Sequence, residues 1–313
     1  MAGTLIVSLD FELFWGMHDC TQPDQYASNI IGGRNSIPKM LELFRNFGIH
    51  ATWATVGMLF AKGPEDLNPY LPGAKPSYTL EKLSPYPFLD TLKEEDPMYF
   101  APEIPPLIAA TPGQELGSHT FCHYYCRENG QTTEQFRQDM IAAKALGADR
   151  GYCLKSVVLP RNQSEPEYTQ VLRELGYTSY RDEENDWIHE KVKFRPLMRA
   201  LRLLDVYLPL TSHGCFTPKN ENGIVNIVGS RMYKPKFIGL FEPLKLHRIK
   251  MQMLYAAKHD LCFHLWWHPH NIGTDTEYHL QQLNEIFSYY DKLRKAYGMR
   301  SLNMGELAAE VLA

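Results

Sequence analysis

Leu5-Ile6-Val7-Ser8-Leu9-Asp10-Phe11-Glu12 opens the chain with an apolar, strand-like run that ends in two carboxylates. Side chains on a strand alternate between its faces, so Asp10 and Glu12 point the same way from its C-terminal end. Working outward, helix-like and strand-like segments alternate. A helix is expected over about residues 34–47, with Ile37, Met40, Leu41 and Phe44 on one face and Gly48 as its stop. Strands follow at 49–56 and near 114–118. A capping box at Thr132 and Gln135 opens a helix that carries Phe136, Met140 and Ile141. Further strands are read at 156–159, around 177–181, at 224–228, at 261–266 and at 301–302. Between the first two of these lies a helix with Pro166 in its first turn and Gly176 past its end. Strands alternating with helices build a parallel sheet wrapped by helices, and about seven strands fit an irregular (β/α) barrel.

Two stretches interrupt the rhythm. Residues 64–112 hold 11 of the 21 prolines, too many for regular sheet or helix. An insertion near 62–113 is therefore expected to be a long ordered excursion of the kind that forms lids. A second, near 190–245, mixes basic residues with Gly and Pro and reads as a substrate-facing insertion. The 313 residues are 44% hydrophobic, enough for a sizeable core, and are read as one domain spanning 1–313.

Composition also narrows the partners. A net charge of −4, with no Lys/Arg block interleaved with aromatics, argues against nucleic acid. No apolar run approaches the ~18 residues of a membrane span, and the first one lacks the flanks of an export signal, so a cytoplasmic location is expected. The six cysteines include no Cys-x-x-Cys pair, which fits reduced thiols better than a disulfide framework.

The polar candidates gather where strands end, which is where a (β/α) barrel builds its active site. Asp10 and Glu12 end the first strand. His119 and His123 follow the third, four residues apart, a spacing that lets both imidazoles reach one metal ion from a helical turn. Arg161 follows the strand at 156–159, Trp187 follows the one at 177–181, and His264, His268 and His270 lie on or after the one at 261–266. Trp15, Trp187 and Trp267 are the candidate sugar-stacking residues, although a tryptophan taken alone is more often part of a core.

At these residues the chain resembles the polysaccharide deacetylase family, the NodB-homology carbohydrate esterases. These are distorted (β/α) barrels that remove acetyl groups from sugars. The most specific match is His119-Thr120-Phe121-Cys122-His123, which fits the family's H-[ST]-x-x-H metal motif. The family's first motif, T-F-D-D, is replaced by Ser8-Leu9-Asp10-Phe11-Glu12, in which Phe11 cannot coordinate. Asp10-x-Glu12 is similar instead to the D-x-D arrangement of a branch that includes allantoinase-like members. The resemblance implies Glu12, His119 and His123 as metal ligands, with Asp10 as catalytic base and as the fallback metal carboxylate. It further implies Arg161 as the residue orienting that base, Trp187 as an aromatic of the substrate site and His268 as general acid.

Two imidazoles and a carboxylate suit a divalent metal, Zn²⁺ foremost. The expected activity is metal-dependent removal of an acetyl group from an acetylated sugar or polysaccharide precursor. The alternatives are an allantoinase-like amidohydrolase acting on a small amide or imide, and a non-catalytic carbohydrate-binding barrel.

Overall fold

The computed structural model describes residues 2–183, 187–192 and 194–313. Strand β1, Thr4–Phe11, is buried along its whole length. Its apolar residues have helices on one side and the sheet's concave interior on the other, as a central parallel strand requires. It pairs in parallel with β2 (Ala51–Thr55), β9 (Cys262–Trp267) and β10 (Arg300–Leu302). Beyond β2 the sheet continues through β3 (Gln114–Ser118), β4 (Ser156–Val158), β5 (Ser179–Arg181) and β7 (Ile224–Asn226), all parallel. Strand β6, Lys219–Glu221, pairs antiparallel with β7, and β8, Arg231–Met232, pairs with β9.

The ladder is open, as the irregularity expected of this (β/α) barrel allows. Its two ends nevertheless come from one piece of chain, because β7 and β8 are separated by only four residues. The Ile227 amide still donates to the Tyr180 carbonyl of β5, and three residues later the Ser230 amide donates to the His264 carbonyl of β9. The sheet therefore curls almost shut at residues 227–230, with regular pairing lost at the crossing. Edge strands and this crossing account for the strands beyond the expected seven.

Alternation along β1 sorts the interior into layers. Ile6 lies with Ala54, Val158, Val225, Ile227 and Cys262 in a small apolar cluster inside the curl. Helix Met304–Leu312, capped by reciprocal Asn303 and Glu306 bonds, adds Met304, Leu307 and Ala308 and plugs that end. Ser8 lies one layer up, and Asp10 one layer above it. Leu5, Val7, Leu9 and Phe11 face the opposite way, into the main core beneath the helices.

Helix Pro23–Phe47 is longer than expected, starting at Pro23 with Pro at its first turn. Gly32 and Gly33 weakened the sequence signal for its first half, yet their lack of side chains lets the helix lie directly on the 269–273 turn. A Cβ on Gly33 would sit 2.6 Å from His270 Cα. Helix Thr133–Asp149 begins at the expected Thr132/Gln135 capping box. Phe136 and Met140 are buried as read, whereas Ile141 is exposed.

The Pro-rich insertion forms a buttress. Its short helical turns pack behind the loops after β1 and β3. The Met98 carbonyl accepts from the Phe14 amide, the Tyr99 carbonyl from the Trp15 indole at 2.7 Å, and the Tyr78 hydroxyl from the Tyr125 amide at 2.8 Å. Among the described residues, no helix is long and apolar enough to cross a membrane.

Gly33→Ala is expected to destabilise the fold by about 1–3 kcal/mol through overpacking of the helix on the 269–273 turn. Urea unfolding of the variant measures this, and an unchanged midpoint would contradict the close approach.

Candidate metal centre

Glu12 leaves the end of β1 and turns back over Gly16. A Cβ on Gly16 would fall 2.1 Å from the Glu12 carboxyl carbon, so only glycine leaves room for that carboxylate. From there Glu12 Oε2 lies 3.1 Å from His119 Nε2 and 3.0 Å from His123 Nε2. The three ligand atoms fall within 4.8 Å of one another, and all three residues are buried.

The two histidines converge by a route the sequence reading did not foresee. Residues 119–125 form no helical turn; Thr120 and His123 adopt left-handed backbone, with φ of 65° and 60°. A β-branched threonine there is strained by about 1–3 kcal/mol. Backbone amides anchor the loop against that strain. Asp139 accepts from the amides of Phe121 and Cys122 at 2.7 and 3.1 Å, and the Thr120 hydroxyl accepts from the Tyr124 amide at 2.7 Å. Burial pushes the Asp139 carboxyl up to about 6, partly offset by these hydrogen bonds.

The donor set fits a divalent cation. His119 Nδ1 lies 2.7 Å from the Val158 carbonyl, which can only accept, so Nδ1 carries the proton and Nε2 presents a lone pair to Glu12. Two acceptors 3.1 Å apart need a positive centre between or on them. Burial pushes His123 down to about 4, so it is neutral at pH 7, and its Nδ1 has no hydrogen-bond partner. Two imidazole nitrogens and one carboxylate oxygen converging on a single point make a 2-His-1-carboxylate set.

Asp10 is committed elsewhere. The Arg181 guanidinium grips it with two parallel bonds, Nη1 to Oδ1 at 2.7 Å and Nη2 to Oδ2 at 2.6 Å. Burial works to raise the Asp10 carboxyl, but Arg181, with His268 and His119, more than reverses this and holds it below the ordinary value. Burial works to raise the Glu12 carboxyl too, but the neighbouring imidazoles of His268, His123 and His119 hold it well below its ordinary value. With both Asp10 oxygens engaged, Glu12 is the carboxylate that faces the histidines.

A satisfied polar chain supports Arg181 from below. Arg181 Nη1 donates to Ser8 Oγ at 2.9 Å, Ser8 to His264 Nε2 at 2.8 Å, and His264 Nδ1 to the Val228 carbonyl at 3.2 Å. Burial, together with the Arg181 charge, pushes His264 down to about 3, so it is neutral and serves this chain. Asn162 accepts from Arg181 Nε at 2.9 Å, and the Trp266 ring lies beneath the guanidinium at 4.1 Å.

His268 completes the site. Its Nε2 is 3.6 Å from Asp10 Oδ2 and 3.7 Å from Glu12 Oε1, and its side chain is 19% exposed. Asn271 lies 3.2 Å from its Nδ1, and its Nε2 faces both carboxylates. His270 stacks on His268 with ring centroids 5.0 Å apart, and burial pushes it down to about 3. The cavity these groups line measures ≈ 350 Å³.

Several expected residues stand elsewhere. Arg161 does not reach Asp10: it and Asn162 adopt left-handed backbone, φ 58° and 49°, and its guanidinium pairs with Asp19 and Glu128, both at 2.7 Å. Arg181 holds the place expected for it. Trp15 and Trp267 are fully buried and offer no face to a sugar; Trp15 packs against Tyr99 and Phe88, Trp267 against Phe44 and Tyr233. Trp187 is 40% exposed, but its indole donates to the Leu210 carbonyl and it does not line the cavity. Trp266 lines it instead.

Several solved structures share this architecture. A protein described as a polysaccharide deacetylase from Mycobacterium smegmatis is 11% identical, matched over 99% of this chain and 90% of its own, with a TM-score of 0.60. Puue allantoinase is 13% identical over 98% of this chain and 90% of its own, TM-score 0.59. A GH57-type branching enzyme from Pyrococcus horikoshii is 10% identical over 99% of this chain and 70% of its own, TM-score 0.59. At such identities the likeness is one of fold, and the fold is that of the polysaccharide deacetylases and their NodB-type neighbours. No family model matches the sequence, and comparison with curated proteins gives no match.

Arg181→Met leaves Asp10 buried without its partner and is expected to cost about 3–5 kcal/mol in urea unfolding, whereas Arg161→Ala, which breaks part-exposed pairs, costs about 1 kcal/mol or less. Equal losses would contradict the exchange of roles. Asp139 generates a second expectation. Between its ordinary 3.8 and its folded value of about 6, the folded chain binds a proton that the unfolded chain releases. This group's contribution to stability therefore falls as pH rises through that window, by about 3 kcal/mol in all. The stability difference between the wild type and Asp139→Asn, measured at pH 4 and pH 6.5, should shrink by that order; a difference independent of pH would contradict it.

Proposed function

We propose that this protein is a divalent-metal-dependent hydrolase that releases acetate from an acetylated sugar. The observation that carries the reading is the division of labour between two adjacent carboxylates, with Asp10 clamped by Arg181 and Glu12 turned to His119 and His123. A structural ion-pair network gives no reason to gather a lone-pair set, a clamped carboxylate and a part-exposed histidine around one cavity.

Glu12, His119 and His123 would hold the metal, with Zn²⁺ the ion best suited to that set, and a bound ion would supply Lewis acidity toward water and the acyl oxygen. Asp10, kept ionised by Arg181, accepts the proton of the attacking water. Because the guanidinium fixes both its oxygens, the carboxylate approaches the water in one orientation only. Protonated His268, whose Nε2 faces the same space, donates that proton to the departing amine or alcohol and is left as neutral imidazole. His270 stacks against His268 and, with Asn271, fixes that ring. Trp266 supplies the apolar surface against which a sugar ring lies, and a cavity of ≈ 350 Å³ suits a single ring.

His119→Ala and Asp10→Asn are each expected to lower chelator-sensitive acetate release from a panel of N- and O-acetylated sugars by about 10²-fold or more. Unchanged turnover in both variants would overturn the reading. Activity on a small cyclic amide, with none on the sugars, would assign the same site to an amidohydrolase.

A further inference from the structure

A second cavity of ≈ 450 Å³ shares a wall with the catalytic one: Arg161, Asn162, Met232 and Trp266 line both. In a chain of net charge −4, this cavity carries the opposite sign. Among the described residues, Arg161, Arg199, Arg202, Arg231 and Lys234 line it, against two carboxylates, Glu183 and Asp205. Both acids are already matched by cations. Glu183 pairs with Arg127 at 3.2 Å, and Asp205 pairs with Arg231 and Arg248, both at 2.8 Å.

Arg161 is held by Asp19 and Glu128, which leaves the two arginines of the neighbouring helix. Arg199 and Arg202 project from helix Arg195–Tyr207 and make no ion pair among the described residues. Arg231 is buried, and although its Nη1 bonds Asp205, its Nη2 has no hydrogen-bond partner among the described residues. An orphaned guanidinium nitrogen in a buried residue lining a cavity is a donor waiting for an acceptor, because leaving it unpaired costs about 1–3 kcal/mol.

We propose that this cavity binds a phosphate-class anion carried by the substrate, so that the acetylated sugar presented to the metal centre bears a phosphate or diphosphate group. The proposal rests on the deacetylase reading for the sugar, not for the anion. Guanidinium forks match tetrahedral oxyanions through paired N–H···O bonds. Two guanidiniums without an ion pair among the described residues, beside the Arg231 Nη2, suit a dianion better than a single carboxylate, and ≈ 450 Å³ accommodates a diphosphate. The shared wall puts the sugar next to the anion, with Trp266 between the two subsites.

Titration calorimetry of inorganic pyrophosphate into the metal-loaded protein, the Arg199→Gln/Arg202→Gln variant and His119→Ala tests the anion site without reference to activity. Pyrophosphate is expected to bind wild type and His119→Ala alike, to bind the double variant about tenfold more weakly or worse, and to weaken with ionic strength. Equal binding by wild type and the double variant overturns the proposal, as does loss of binding in His119→Ala alone, which would put the anion on the metal centre. Acetate release is then compared for a free acetylated sugar, its nucleoside diphosphate conjugate and its short prenyl diphosphate conjugate. A higher kcat/KM for either conjugate, reduced in the double variant, supports the proposal and names the source of the phosphate; no preference for either over the free sugar contradicts it. Absence of acetate from all three, with pyrophosphate binding as expected, would instead remove the deacetylase reading and leave the anion site standing.

Discussion

The paired contact between Arg181 and Asp10 is the constraint on which the rest of the site depends. Two carboxylates leaving the end of one strand would repel each other and compete for the same cation. A guanidinium that occupies both oxygens of Asp10 removes that competition and leaves Glu12 as the acid that meets His119 and His123. Burying such a pair is expensive, and its geometry must be completed by further hydrogen bonds to be sustained. Ser8, His264 and Asn162 supply them, each from a different element.

The period of two along the strands carries this arrangement up from the floor of the sheet. On β1 the inward sequence runs Ile6, Ser8, Asp10, changing from apolar core to polar support to chemistry. On β9 the same face carries Cys262, His264 and Trp266 and leads to His268 just past the strand. Register keeps the layers abreast, since Ser8 pairs with Trp266 and Ile6 with His264. The C-terminal helix plugs the other end, where Thr52, Glu115, Ser156 and Ser179 hydrogen-bond to one another, and the carboxylates and histidines of the site lie toward the strands' C-terminal ends.

Much of this was legible in the sequence because it follows from alternation. Asp10 with Glu12, the strand order and the Thr132/Gln135 cap are local patterns, and the structure keeps them. Trp267 was misread by the same rule that served Asp10: it lies one residue from Trp266, and a one-residue step on a strand changes the face. Arg161 was misplaced because a left-handed turn at Arg161-Asn162 reverses the direction of a side chain that an extended strand end would have aimed inward. Arg181 ends a short strand just as Asp10 does, so the signal that found the acid would also have found its partner. The left-handed loop at 119–123 was not legible, because its strain is offset by Asp139, Thr55, Gly57 and Met58, which are distant in sequence. Gly16 shows the converse case, since its role appears only once Glu12 is seen lying against it.

The central claim is that Glu12, His119 and His123 together hold one divalent ion. X-ray absorption spectroscopy of the zinc-loaded protein tests it most directly. About one equivalent of metal is expected, with nitrogen and oxygen neighbours at about 2.0–2.2 Å and the multiple-scattering signature of two imidazoles. A sulfur shell at about 2.3 Å, which would move the ion to a cysteine such as Cys122, or no metal retained above background, would contradict it.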